Sequence, residues 1–124
     1  MEQQILAMDV RQLEKLSVLQ DEDSPNLVTD MARGYLDRTP QRIGRMRELL
    51  TTGNADQLAH EAHGLATSSG MFGMMRVRLH CKALENLARR SRLEGAGELL
   101  AAVERAYAEA LPLLLAQLGL RDRG

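Results

Sequence analysis

Aromatic residues are nearly missing from this chain: it has no tryptophan, and Tyr35, Phe72 and Tyr107 are the whole set. A surface that stacks nucleobases needs more rings than that. Lys and Arg total 16 against 17 for Asp and Glu, so no basic excess exists to neutralise a phosphate backbone. Nucleic acid is therefore not an expected partner. Cysteine is reduced to Cys81, which has no second thiol to pair with and fits a reducing compartment. Long apolar runs are also absent: the longest, around Leu111 to Ala116, falls far short of the ~18 residues that span a bilayer. The start, Met1-Glu2-Gln3-Gln4, has no basic region leading into an apolar stretch. These absences lead to the expectation of a cytoplasmic protein with no membrane segment. No glycine-rich phosphate loop of the P-loop type occurs, so nothing in the sequence equips the chain to bind ATP.

What the chain does have is helical periodicity from end to end. Its 124 residues suit one domain with its own core, expected to span residues 1–124 with a bundle core from about 24 to 118. Asp9 with Gln12 fits a capping arrangement before the stripe Val10, Leu13, Leu16. Ser24-Pro25 reads as a second helix start, because proline's missing N–H costs nothing at the first helical position. That helix is expected to run to about Arg38, with Leu27, Val28, Met31 and Tyr35 inward. Thr39-Pro40 repeats the punctuation and opens another, with Ile43, Met46 and Leu50 on one side. Gly53 ends it, and Asn54 starts the next, with Gln57 placed to return the capping bond. Gly70 to Gly73 breaks the chain before a helix from about Met74 to Arg89. Ser91 with Glu94 is expected to cap a last long helix carrying Leu99, Leu100, Val103 and Tyr107, which Pro112 should kink or restart. No segment alternates like a strand. Short connections favour antiparallel neighbours, so the expected fold is all-α: an up-and-down antiparallel four-helix bundle with one or two additional N-terminal helices.

The same periodicity orients the histidines. At ~100° per residue, Leu58, Ala62, Leu65 and Ser69 share one side of their helix and define its core face. His63 lies roughly 130° from that direction and His60 nearly opposite it, so both face outward. On the following helix Val77, Cys81, Leu84 and Ala88 form the buried stripe, while Arg78, Lys82, Glu85 and Arg89 line one flank. Side-by-side packing around Gly73 can bring that flank beside His63. Cys81 in the core stripe reads as a small buried hydrophobe rather than a redox centre.

Ala62, His63, Leu65, Ser68 and Ser69, then Gly73, Val77, Cys81, Leu84 and Glu85, form an ordered array that resembles the histidine-containing phosphotransfer (HPt) domain of two-component phosphorelays. The resemblance implies a helical phosphocarrier with no kinase activity of its own, in which His63 is the phosphoacceptor. It accepts a phosphoryl group from one receiver-domain aspartate and passes it to another. Glu85 occupies the position that in several HPt proteins holds a glutamate or glutamine orienting the histidine, and takes that role by resemblance. A neutral imidazole is a good nucleophile near neutral pH, and a carboxylate on Nδ1 fixes the proton there and leaves Nε2 free. No cofactor of its own is implied, since the receiver's aspartate cluster brings Mg²⁺. The implied partners are receiver domains of response regulators or hybrid histidine kinases, met as a monomer. Because Met1 opens the chain and the last helix nearly closes it, a free-standing shuttle is the expectation.

Two positions depart from the family pattern. Lysine is common three residues after the histidine and glycine four after; this chain has Ala66 and Thr67. Loss of that lysine removes a charge from the phosphoryl oxygens, and Lys82, on the flank of Glu85, is a candidate substitute. The Thr67 hydroxyl is a candidate hydrogen-bond donor to the phosphoryl group. Ala66, Ser69, Gly70, Met71 and Phe72, together with Ile5 and Leu6 at the amino end, are candidate contacts for a docking receiver. Two other readings stay open: an HPt-like binding module that sequesters a receiver or kinase without being phosphorylated, and a bundle that binds a metal through His60 and His63. Two histidines without a third ligand are a weak metal signal, so no metal site is assigned.

Overall fold

The structure, a computed structural model, describes residues 6–120. Five helices follow one another: α1 (Val10–Ser17), α2 (Leu27–Thr51), α3 (Ala55–Met71), α4 (Met75–Arg89) and α5 (Ala96–Leu118), with no strand among the described residues. Helices α2 to α5 close a four-membered ring in which α2 meets α3 and α5, and α4 meets α3 and α5. The α3–α4 hairpin is the most intimate of these pairs, and α1 lies across α2 and α3. None of the helices among the described residues is long and apolar enough to cross a membrane.

Each helix buries the stripe its sequence spells out. Leu58, Ala62 and Leu65 of α3 meet Val77, Cys81, Leu84 and Ala88 of α4 and Leu100, Val103, Ala110 and Leu114 of α5, all at 1% exposure or less. Burial pushes the Cys81 thiol up to about 12, so at neutral pH it is an inert core residue. The three aromatic rings form one cluster, with Tyr35 at 5.1 Å from Phe72 and 6.2 Å from Tyr107 between ring centres. The Tyr35 hydroxyl shares a buried 2.8 Å hydrogen bond with the Ser69 hydroxyl, which ties α2 to α3.

Four expected boundaries are corrected, at Thr39-Pro40, Pro112, Ser24-Pro25 and Ser91. The break at Thr39-Pro40 does not occur: α2 runs through Pro40 without interruption. Its inward residues Val28, Ala32, Tyr35, Thr39, Ile43 and Met46 keep a 3–4 spacing across the proline. Burying that continuous face outweighs the ~3 kcal/mol that an interior proline costs, and the Thr39 hydroxyl is absorbed by a 2.6 Å bond to the Tyr35 carbonyl. Likewise α5 continues through Pro112. Ser24-Pro25 forms a turn ahead of α2 rather than its first residues; the helix begins at Leu27, and the Gln20 side chain accepts from the Val28 N–H at 3.0 Å. At the α3 start, Asn54 accepts from the Gln57 N–H at 3.2 Å as expected, but the Gln57 side chain turns away to Arg45 instead of returning the bond.

Ser91 does not cap α5, which starts at Ala96. It closes α4: with φ at 57° it is in the left-handed region, and the Ser91 and Arg92 N–H groups bond back to the Ala88 and Leu87 carbonyls at 2.9 and 3.2 Å. This is the helix-ending geometry that glycine usually fills. Ser91→Gly should raise stability by about 0.5–1 kcal/mol, the relieved strain exceeding the extra freedom of the unfolded glycine. A denaturant midpoint that stays put or falls would refute the strain.

The α3–α4 turn carries the other left-handed position that matters. Gly73, φ 76°, ends α3 and donates its N–H to Gly70, while its own carbonyl accepts from the Asp9 N–H at 2.7 Å. A Cβ there would lie 2.2 Å from the Asp9 carbonyl oxygen. That contact seats the start of α1, where Asp9 accepts from the Arg11 N–H at 3.1 Å and so caps the helix. The turn glycine thus fixes both the α3–α4 hairpin and the position of α1 beside it.

Candidate functional site

His63 and Glu85 come together as the helical phase of α3 and α4 dictates. The His63 side chain is 59% exposed, whereas that of Glu85 is only 11% exposed. Nδ1 of His63 lies 3.2 and 3.1 Å from the two carboxylate oxygens of Glu85. An ionised carboxylate can only accept, so the proton of the neutral ring belongs on Nδ1 and the lone pair on Nε2. Nε2 is thereby the ring's nucleophilic atom.

Glu85 has a second partner, on its own helix. Arg89, one turn on along α4, donates from Nε and Nη2 to the same oxygen, Oε2, at 2.8 and 2.5 Å. Burial alone would push the Glu85 carboxyl up, but the bonds from Arg89 and His63 outweigh it and hold the group below the ordinary glutamate value. It is ionised throughout the neutral range. The glutamate-to-arginine spacing of four on one helix was a legible signal for this pair.

A shallow cleft of about 510 Å³ opens beside His63, lined by Gln12 of α1, Ala66, Thr67, Gly70 and Met71 of α3, and Met75, Arg78 and Lys82 of α4. Lys82 does share the space with His63, and so does Arg78. Neither makes an ion pair with a described residue, which leaves two cations on one wall. The Arg78 side chain crosses α3 at Gly70, where an added Cβ would sit 3.0 Å from its Cδ. Gly70 is the gap that lets this side chain lie down. Gln12 and Arg78 were not among the sequence candidates; Gln12 enters only because α1 is docked by Gly73.

The remaining candidates divide by burial. Met71 is 39% exposed at the cleft rim and Leu6 is 55% exposed, while Ile5 lies outside the described residues. Ser69 and Phe72 are corrected: they are buried, Ser69 by its bond to Tyr35 and Phe72 by its stacking on the same ring, so neither faces a partner. Ala66 is also buried and contributes only floor to the cleft. The Thr67 hydroxyl donates to the His63 carbonyl at 3.1 Å, so its proton is engaged by the helix and only its acceptor side faces the cleft. His60 is exposed but belongs to a different hollow, with Asp56, Ala59 and Arg89. Among the described residues no three His, Cys, Asp or Glu side chains are grouped to hold a metal ion.

The fold is similar to those of known proteins. The chain is 28% identical to histidine-containing phosphotransfer protein B (HptB) of Pseudomonas aeruginosa, with a TM-score of 0.78 over 94% of this chain and 97% of that one. A histidine-containing phosphotransfer protein of Medicago truncatula gives 27% identity and a TM-score of 0.74 over 91% of this chain and 77% of its own. A putative one from rice shares the fold, with a TM-score of 0.77 at 23% identity over 91% and 80%. No curated protein matches the sequence. The sequence pattern of the Hpt domain matches residues 30–119, which takes in α3, α4, α5 and most of α2, and with it the chain belongs to the Hpt domain family.

Proposed function

We propose that this protein is a phosphorelay intermediary that carries a phosphoryl group on His63 between the aspartates of receiver domains. The observation that supports it most is the buried Glu85 carboxylate on Nδ1 of an exposed imidazole. In the forward step the Nε2 lone pair attacks phosphorus of a receiver's aspartyl phosphate. The bond from phosphorus to the aspartate oxygen breaks, and the aspartate leaves as a carboxylate. The Nδ1 proton stays in place, so the product is a phosphoimidazolium whose positive charge faces Glu85. Delivery to the next aspartate is the same step reversed. Mg²⁺ comes with the receiver, and the protein acts as a cytoplasmic monomer without kinase activity of its own.

The chemistry asked of this side is positioning and charge neutralisation. Lys82 is assigned to the phosphoryl oxygens in place of the lysine absent at Ala66; Thr67, whose proton goes to the His63 carbonyl, is not assigned a bond to them. Met71, Gly70 and Leu6 are assigned to the receiver's approach. Incubation with a phosphorylated receiver and Mg²⁺ should transfer one acid-labile phosphate to the protein, and Lys82→Ala should shorten its lifetime. Receiver binding with no transferred label would instead identify a module that sequesters its partner, and an unchanged lifetime in Lys82→Ala would remove that residue from the site.

A further inference from the structure

We infer that Arg89 is a positioning residue for phosphotransfer, acting through Glu85 to hold His63 in the Nδ1–H tautomer. The inference rests on the phosphocarrier reading for its consequence but on geometry for its substance. Arg89 and His63 approach one carboxylate from two separate hollows. His63 borders the cleft with Lys82 and Arg78, and Arg89 lines the hollow with Asp56, Ala59 and His60. Glu85 stands between them, its side chain 11% exposed. Arg89 does not line the cleft that holds His63, Lys82 and Arg78.

A carboxylate held only by His63 has freedom to rotate about its last side-chain bonds, and a glutamate keeps that freedom unless a second contact removes it. Arg89 removes it. Two donors of one planar guanidinium converge on Oε2 at 2.8 and 2.5 Å, which pins that oxygen in place. Oε1, which takes no bond from Arg89, remains 3.2 Å from Nδ1. The arrangement has the same logic as a base oriented by a third group, here spread over two helices with the orienting arginine outermost. Arg89 also shares the negative charge of Glu85, which tempers its pull on the Nδ1 proton. The phosphoimidazolium is then stabilised enough to form without becoming a poor donor.

The test is nitrogen NMR of the His63 ring in the unphosphorylated protein, combined with transfer kinetics. In the native chain the Nδ1–H form should dominate. Arg89→Ala should let the Nε2–H form appear and slow phosphoryl transfer by about 10-fold, the lower end of the range for an outer orienting partner. Arg89→Lys should recover only part of either, since a single ammonium cannot fork onto one oxygen. In a Glu85→Ala background Arg89→Ala should do nothing further, because the path through the carboxylate is already cut. An unchanged tautomer ratio in Arg89→Ala, or an equal kinetic loss with and without Glu85, overturns the inference. Absence of any transfer in the native protein refutes the carrier role instead, and the tautomer measurement still decides the part played by Arg89.

Discussion

Replacement of His63 by glutamine should abolish the acid-labile phosphate, with transfer from a phosphorylated receiver falling by about 10³-fold or more, to background. Glutamine has nearly the reach of histidine and its amide can still donate to Glu85, so the site keeps its shape. What it loses is the nucleophile, because the amide nitrogen's lone pair is delocalised into the carbonyl. The His63 side chain is 59% exposed, and changes at such positions cost about 0.5 kcal/mol or less. Loss of label with an unaltered unfolding curve is therefore the expected pair of results. His60→Gln and His80→Gln should keep the label. Retention of phosphate in His63→Gln would move the phosphoacceptor elsewhere and end the assignment.

Gly73→Ala should be the most damaging single methyl in the molecule. The added Cβ meets the Asp9 carbonyl oxygen at 2.2 Å and its carbon at 3.0 Å, distances at which backbone must move. Left-handed φ in a residue with a side chain adds about 1–2 kcal/mol, and loss of the Asp9 N–H bond about 1 more. We expect a total near 2–4 kcal/mol in denaturant unfolding, and release of α1 from the hairpin. Gly53→Ala is the control: its φ is 72° but nothing lies within 4 Å of the new carbon. It should show the backbone strain alone. Equal losses in the two variants would mean that the Asp9 contact contributes nothing.

The release of α1 matters for the site because Gln12 is the contribution of that helix to the cleft. Hydrogen exchange across residues 9–18 should therefore accelerate in Gly73→Ala more than across α3 and α4, whose shared core of Leu65, Val77, Cys81 and Leu84 remains intact. His63 and Glu85 both stand on that hairpin.

Legibility in the sequence followed the range of the interaction. The α3 and α4 faces were readable because a helix repeats every ~3.6 residues, so Leu58, Ala62 and Leu65 fixed where His63 points, and Val77, Cys81 and Leu84 fixed where Glu85 points. The Asp9 and Asn54 caps were readable because each is decided within three residues. Thr39-Pro40 misled for the opposite reason: local punctuation was weighed by itself, while a stripe from Val28 to Met46 buried against the rest of the bundle outweighed it. Ser91 misled similarly, since a serine followed by a glutamate three residues on fits a cap whether or not the chain has room to start a helix there.

The surface candidates divided on a finer point. Ser69 looked available to a partner because it sits beside a glycine break, although its own helical phase puts it on the core face of α3, and that phase prevailed; Phe72, past the end of α3, had no such signal. Which group meets them was not legible: Tyr35, 34 residues before Ser69, takes the Ser69 hydroxyl and packs on the Phe72 ring, and no pattern within α3 announces a partner on α2. Arg89 was visible as the residue four after Glu85, yet most such pairs are weak, solvated contacts. Only the partial burial of Glu85 against His63 makes this one consequential.

The sequence by itself determined that the chain is helical, which faces of α3 and α4 are buried and that His63 points outward, because those follow from periodicity; it did not determine where α2 and α5 begin, nor that α2 is one helix. Tertiary structure alone decided that Glu85 reaches Nδ1 with Arg89 behind it, that Lys82 and Arg78 share the cleft, and that Gly73 brings α1 alongside. Apart from the Glu85–Arg89 pair, which lies four residues apart on α4, each of these is a contact between different helices, and its existence depends on the distance and rotation at which they settle, which helical phase constrains but does not set.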